Sequence, residues 1–174
     1  MAREPMDDPV LESDRDAIIR MDACSICGSD LHIYHGHGFS EDIGFCVGHE
    51  AVGEVVEIGR AVSRVKVGDK VMVPAAVGCG ACRSCLAGNV LNCAFGQGSC
   101  YGLSARLQGV QAEAFRVPAA DMNAEPIPEG VSGDQALMMT DALATAWFGS
   151  RNADIRPGSA VAIIGLGPIG LMAV

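Results

Sequence analysis

Basic side chains are scarce in this chain of 174 residues: 12 Lys and Arg stand against 21 Asp and Glu, which sets the net charge at −9 and the pI near 4.7. Surplus negative charge repels polyanions, so nucleic acid and anionic membrane are disfavoured as partners, while a local basic pocket for a phosphate is still allowed. Long apolar runs are missing too. No stretch reaches the roughly 18 residues of a membrane span, and the opening Met1-Ala2-Arg3-Glu4-Pro5-Met6-Asp7-Asp8-Pro9 lacks the apolar core of a signal peptide. The expectation is a soluble, cytoplasmic protein with no nucleic-acid or membrane partner. Hydrophobic residues nevertheless make up 49% of the chain, enough for a packed core and too many for a disordered segment. The length suits one core or slightly more, at roughly 100–200 residues per domain.

What is abundant is cysteine, eight in all, and four of them share one stretch. Cys79, Cys82, Cys85 and Cys93 follow the spacing C-x2-C-x2-C-x7-C inside fifteen residues. Four thiolates gathered by so short a loop match the closed tetrahedral site of a structural Zn²⁺, with no position left for water or substrate. Two rivals stand beside zinc. A [4Fe–4S] cluster shares the three close cysteines, but the ferredoxin run places its last cysteine after three residues and follows it with Pro. Here seven residues intervene and Ala94 follows. Two disulfides would require an oxidising compartment, against which the N-terminus argues. Closely spaced cysteines in an intracellular chain point first to metal.

Taken in order, residues 1–15 are acidic, carry two prolines and show no period, so they read as a loose arm. Asp16 to Cys24 reads as a strand with Ile19, Met21 and Ala23 on one side and Arg20 and Asp22 on the other. In the reactive cluster Ser25-Ile26-Cys27-Gly28-Ser29-Asp30-Leu31-His32, Gly28 signals a turn. The loop from Tyr34 to Gly44 presents His35 and His37 to solvent. Ala51 to Gly59 alternates apolar and acidic residues, as a half-buried antiparallel strand does. Gly68-Asp69 supplies a turn, Val71 to Pro74 a short strand, and Gln111 to Val117 another alternating segment. Short strands split by turn residues predict a mainly β fold over 16–131, a small antiparallel barrel with a zinc-binding lobe at 79–93. From Ser132 the period changes. Ser132 and Gln135 have capping-box spacing, which predicts one helix running to about Phe148. Arg156-Pro157-Gly158 is a turn, and Ala160 to Ile164 is an apolar run of the kind found in a parallel strand buried on both faces.

That run leads into Gly165-Leu166-Gly167-Pro168-Ile169-Gly170. A Gly-x-Gly-x-x-Gly between an apolar strand and a helical segment has the context of a dinucleotide fingerprint, and a plain glycine-rich turn is the alternative. Residues 132–174 thus read as a connecting helix and the incomplete start of a Rossmann unit, since a whole unit needs roughly 30 residues and a ribose-reading residue about 20 further on. A second metal candidate is dispersed: Cys27, His49, Glu50 and Asp141. A catalytic zinc takes three protein ligands and keeps one position open. On spacing alone, a core thiol, a histidine satisfied by backbone and solvated acids account for these residues equally well. Cys24 reads as a thiol buried by its strand, Cys46 as a loop thiol, and Met138-Met139 as helix packing.

Together these motifs resemble the zinc-dependent alcohol dehydrogenases of the medium-chain dehydrogenase/reductase superfamily. The resemblance rests on Cys27-Gly28-Ser29-Asp30-Leu31-His32, Gly48-His49-Glu50 with Val52-Gly53-Glu54-Val55-Val56, Val67-Gly68-Asp69-Lys70-Val71, the four-cysteine lobe, Asp141-Ala142-Leu143-Ala144-Thr145 and the glycine motif, in that family's order. It implies a GroES-like catalytic fold. It implies a catalytic zinc on Cys27, His49 and Asp141, with Glu50 as a carboxylate able to approach the metal, and a structural zinc on Cys79, Cys82, Cys85 and Cys93. Ser29 then resembles the hydroxyl that takes the alcohol proton and His32 a later station of the relay. Thr145 resembles a nicotinamide contact, and Gly165, Gly167 and Gly170 belong to the cofactor turn. The implied reaction passes a hydride between a small alcohol or its aldehyde or ketone and NAD or NADP.

The family pattern continues beyond Val174 with the rest of the nucleotide-binding domain, so the metal sites are expected on this chain without its full hydride partner. A reading from another class is a non-enzymatic zinc-binding barrel that keeps fold and metals only. The apolar segments 160–164 and 171–174 predict self-association or a complementing chain.

Overall fold

The computed structural model describes residues 2–94 and 99–174. Strand β1 (Ala17–Cys24) pairs antiparallel with β2 (Ala51–Ile58), the central strand, with Ala17 opposite Ile58 and Cys24 opposite Ala51. β3 (Lys70–Val73), the short β4 (Ala76–Val77) and β5 (Ser99–Cys100), β6 (Ala114–Val117) and β7 (Glu125–Pro126) complete the strands. Five of them form one antiparallel sheet in the order β6-β1-β2-β3-β7, and β4 pairs with β5 apart from it. The sheet is antiparallel as expected, but no β7–β6 pairing closes it into a hydrogen-bonded ring among the described residues.

Alternation along the strands sends Ile19 of β1, Val55 of β2, Val71 and Val73 of β3, and Phe115 and Val117 of β6 into one core with Val110. Arg20 and Asp22 face outward, where Arg20 meets Glu54 at 2.9 Å and Asp22 meets Lys70 at 2.6 Å. Cys24 falls on that outward set and is exposed, so burial by its strand is corrected: with a period of two, an even position shares the side of Arg20 and Asp22. The strand expected from Gln111 is shorter, beginning at Ala114, although Glu113 O still accepts from Met21 N–H at 2.9 Å.

Gly28 opens a helix where a turn was expected. α1 (Gly28–Tyr34) begins at Cys27, whose extended backbone (φ −81°, ψ 158°) and whose N–H, donated to Asp30 Oδ2 at 2.9 Å, make a cap. The short helices α2 (Arg83–Leu86) and α3 (Ala120–Asn123) follow. The Ser132/Gln135 capping box forms as read, but the single expected helix is two, α4 (Gly133–Met139) and α5 (Ala142–Asn152). The break falls at Thr140 and Asp141, where Asp141 adopts φ −142°, ψ −64° as the N-cap of α5. Residues 160–164 form no strand, and Ile164 is 98% exposed. A strand buried on both faces needs neighbours on each edge, and no described strand lies alongside. The glycine motif does open a helix, α6 (Pro168–Ala173).

Polar clamps join the layers. Buried Asp16 takes Arg116 Nη1 at 3.0 Å and the Ala119 N–H at 3.3 Å. Asp121 accepts from Ser63 Oγ at 2.7 Å, from Ser63 N–H and from Arg64 N–H at 2.8 Å. Burial works against its charge, but these donors and the Arg64 cation outweigh it and hold the carboxyl below its ordinary value. A carboxyl depressed in the folded state contributes stability above its unfolded pKa of about 4 and loses it as pH falls through the folded value. Asp121→Asn is therefore expected to unfold earlier than wild type at pH 7, and the gap in urea midpoints should narrow as pH drops below about 4. A gap that stays constant over that range would show that the carboxylate charge contributes nothing.

Candidate metal centres

The four lobe cysteines arrive from a short helix and the turns around it. Cys82 is the N-cap of α2 and Cys85 lies on α2. Cys79 precedes α2, and Cys93 follows the 3-10 turn Val90–Asn92. All four are buried, and their sulfurs lie within 4.8 Å of one another. Cys79 and Cys85 Sγ are 3.9 Å apart, and Cys82 and Cys93 Sγ 4.0 Å. The edge of a ZnS₄ tetrahedron with 2.3 Å bonds is about 3.8 Å, whereas a disulfide needs about 2.05 Å. No disulfide joins any of the eight cysteines.

Backbone N–H groups point at the lobe's sulfurs. Ala81 and Cys82 N–H both donate to Cys79 Sγ at 3.4 Å. Backbone N–H groups of Cys85 and Ala94 bring the Cys82 thiol down to about 6, while burial pushes Cys85 up to about 11. Four packed sulfurs of this kind need a cation to ionise together. Gly78 makes the packing possible, since a Cβ there would stand 2.8 Å from Cys85 Sγ. Asn123 anchors the lobe to the sheet, accepting from Gly78 N–H at 3.1 Å and donating to Gly78 O at 2.8 Å, and Arg15 Nη2 donates to Cys79 O at 2.7 Å.

The dispersed candidate also converges. Cys27 at the start of α1, His49 just before β2 and Asp141 at the break before α5 bring their donor atoms within 4.8 Å of one another. Cys27 Sγ lies 3.6 Å and His49 Nε2 3.5 Å from Asp141 Oδ2. Those edges suit a tetrahedral ion with bonds of about 2.0–2.3 Å. His49 is buried while Cys27 and Asp141 are half-buried, so this centre is reachable where the lobe is sealed. Burial opposes charge on His49, but the contacts with Asp141, Cys27 and Asp30 outweigh it and lift the imidazole to about 9. The His49 contact likewise holds Asp141 below the usual carboxylate range against burial.

Of the other candidates, Glu50 stands outside this group, its carboxylate accepting from the Ser25 hydroxyl. Ser29 Oγ is 3.8 Å from Cys27 Sγ. His32 is exposed in the last turn of α1, edge-on to Phe39. Thr145 Oγ1 donates to Asp141 Oδ1 at 2.7 Å, which leaves Oδ2 for the other two ligands. His35 and His37 are exposed, as read. Gly165 has φ +94°, Gly167 caps α6, and a Cβ on Gly170 would overlap the Gly165 carbonyl, so the glycine turn lies directly against α6.

Asp30 was missed. It is buried, with Oδ1 3.7 Å from His49 Nδ1, and neither atom has a hydrogen-bond partner among the described residues. The signal was present in the capping-box spacing of Cys27 and Asp30, which places that carboxylate at the N-terminus of α1.

Residues 13–129 match the family model described as the alcohol dehydrogenase GroES-like domain. The chain belongs to that family. A medium chain reductase/dehydrogenase of Acremonium sp. is 43% identical over 95% of this GroES-like chain and 58% of its own length. Alcohol dehydrogenase TADH from Thermus sp. ATN1 superposes with a TM-score of 0.91 at 38% identity, covering 98% of this chain and 49% of that one. Zinc dependent alcohol dehydrogenase 2 from Streptococcus pneumonia gives 0.87 at 37% identity, covering 98% and 47%. The GroES-like chain thus spans about half the length of the relatives it matches.

Proposed function

We propose that this chain is the metal-binding catalytic portion of an alcohol-dehydrogenase-type oxidoreductase, acting on a small alcohol or its aldehyde or ketone with NAD or NADP. The observation that carries the reading is the meeting of sulfur, nitrogen and oxygen donors from Cys27, His49 and Asp141 at a reachable centre, beside a separate sealed set of four sulfurs. The first set would hold a catalytic Zn²⁺, and Cys79, Cys82, Cys85 and Cys93 a structural one. A Zn²⁺ on the first set supplies Lewis acidity to a substrate oxygen.

The chain's own residues then handle the proton. Ser29, next to Cys27 Sγ, receives it from the alcohol, and His32, exposed on the same helix, passes it to solvent. Glu50, held by Ser25, is the neighbouring carboxylate that can approach the centre. Thr145 steadies Asp141 and meets the nicotinamide end of the cofactor, whose pyrophosphate the Gly165, Gly167 and Gly170 turn accommodates. Thiols gathered as metal donors suit a reducing compartment, and a cytoplasmic location is part of the reading. Val161, Ile164, Leu166, Leu171 and Val174 are exposed, and the reading has them covered by a second copy or a complementing polypeptide.

Metal analysis of the purified chain tests the proposal: two zinc ions per chain are expected, and one ion only would overturn the catalytic centre. NAD(P)H fluorescence should rise on adding the zinc-loaded chain. No enhancement at millimolar cofactor would assign it instead to a non-enzymatic zinc-binding module.

A further inference from the structure

Gln111 has no part in the proton route or the ligand sets, yet it connects both segments that supply the first ligands, through its side chain to one and its backbone to the other. It precedes β6, and its backbone N–H donates to Val47 O at 3.0 Å, two residues before His49. Its amide Nε2 donates to Ser25 O at 3.4 Å and to Asp30 Oδ2 at 3.3 Å. We propose that Gln111 is a positioning residue for the Cys27–His49–Asp141 centre: its side-chain amide fixes the Asp30 carboxylate behind His49, and its Cγ packs against Gly48 at the entrance to the His49 segment. This rests on the reading of those three residues as a metal site.

Orientation is what the amide supplies. Asp30 Oδ2 accepts from two donors, the Cys27 N–H at 2.9 Å and Gln111 Nε2. One donor would leave the carboxylate free to turn about its Cβ–Cγ bond. Two donors from different segments set its plane, which keeps Oδ1 facing His49 Nδ1 at 3.7 Å. At that distance the two make no hydrogen bond, but a carboxylate facing the distal nitrogen favours a proton on Nδ1, and with it the tautomer that leaves Nε2 free as a ligand. Gly48 shows how closely the glutamine is built into the site. It has φ +93°, and a Cβ there would run into Gln111 Cγ, so the chain entering His49 lies directly against this side chain. An amide is also the suitable group, because a carboxylate at 111 would face the carboxylate of Asp30 with no hydrogen to offer.

The test compares wild type, Gln111→Met, which keeps length without N–H donors, and Gln111→Glu, which keeps shape but adds charge. Each 174-residue chain is loaded with Co²⁺ or Zn²⁺. Affinity for the second ion is read by chelator competition, and its ligand geometry by the visible bands of the cobalt form. Gln111→Met is expected to bind the second ion about 10–100-fold more weakly, the usual cost of losing an outer-shell partner, with shifted cobalt bands and an unchanged lobe ion. Gln111→Glu should lose at least as much, and it is read in the same way if the methionine variant fails to fold. Wild-type affinity and bands in a folded variant would overturn the positioning role alone. A wild-type chain that takes up one ion only would overturn the metal-site reading and this role with it, so the two failures are distinguishable.

Discussion

Cys85→Ser is expected to lower the zinc content from two ions per chain to one and to bring down the thermal midpoint by roughly 10 °C, because losing a structural metal belongs among the few single changes costing about 4 kcal/mol or more. Cys85 is the buried sulfur on α2, 3.9 Å from Cys79 Sγ, and the hydroxyl that replaces it is a poor zinc ligand. Little else holds the lobe. Among the described residues, Val90 is the one partly buried hydrophobic packed against the four sulfurs, so a bound ion would stand in for a hydrophobic core. The Asn123 and Arg15 anchors fasten the lobe's first turn but do not order the rest of the loop. Limited proteolysis should therefore cut the variant within 79–93 while the sheet stays intact. Retention of two ions and a wild-type midpoint would show that the four sulfurs do not form a structural site.

His49→Ala is expected to have the opposite signature: loss of the reachable ion, retention of the sealed one, and a destabilisation of about 1–3 kcal/mol from truncating a buried side chain. His49's ring takes no part in the sheet ladder, and its nitrogens face Asp141, Cys27 and Asp30. Removing it leaves both carboxylates without their buried counter-group, so a cation bound there would keep only Cys27 and Asp141 as donors. Two ligands are too few for a catalytic zinc site, which takes three. Metal analysis with far-UV circular dichroism separates the outcomes. A variant that still holds two ions would show that His49 is not a ligand, and one that holds none would show that the two centres form together.

The contrast between these variants comes from how each centre is encoded. The lobe was legible residue by residue, because four donors within fifteen positions meet by local chain geometry alone. The strands β1 and β2 were legible through their period of two, and the start of α4 through the Ser132 and Gln135 cap. The strand expected at 160–164 failed for a physical reason: apolar sequence states a preference for burial, while a strand exists only where a neighbour offers hydrogen bonds. The single helix expected from Ser132 failed because Asp141 leaves the helical path, and no local period marks that position.

By itself, then, the sequence determined the sealed sulfur site, the alternating strands and the set of residues that could form a second centre. Only the tertiary structure decided that Cys27 and Asp141, 114 positions apart, approach within 3.6 Å, that Glu50 turns to Ser25, and that Asp30 and Gln111 stand behind His49. Spacing governs contacts inside one loop, whereas contacts between distant segments depend on sheet register, helix caps and backbone breaks that no short stretch of residues specifies.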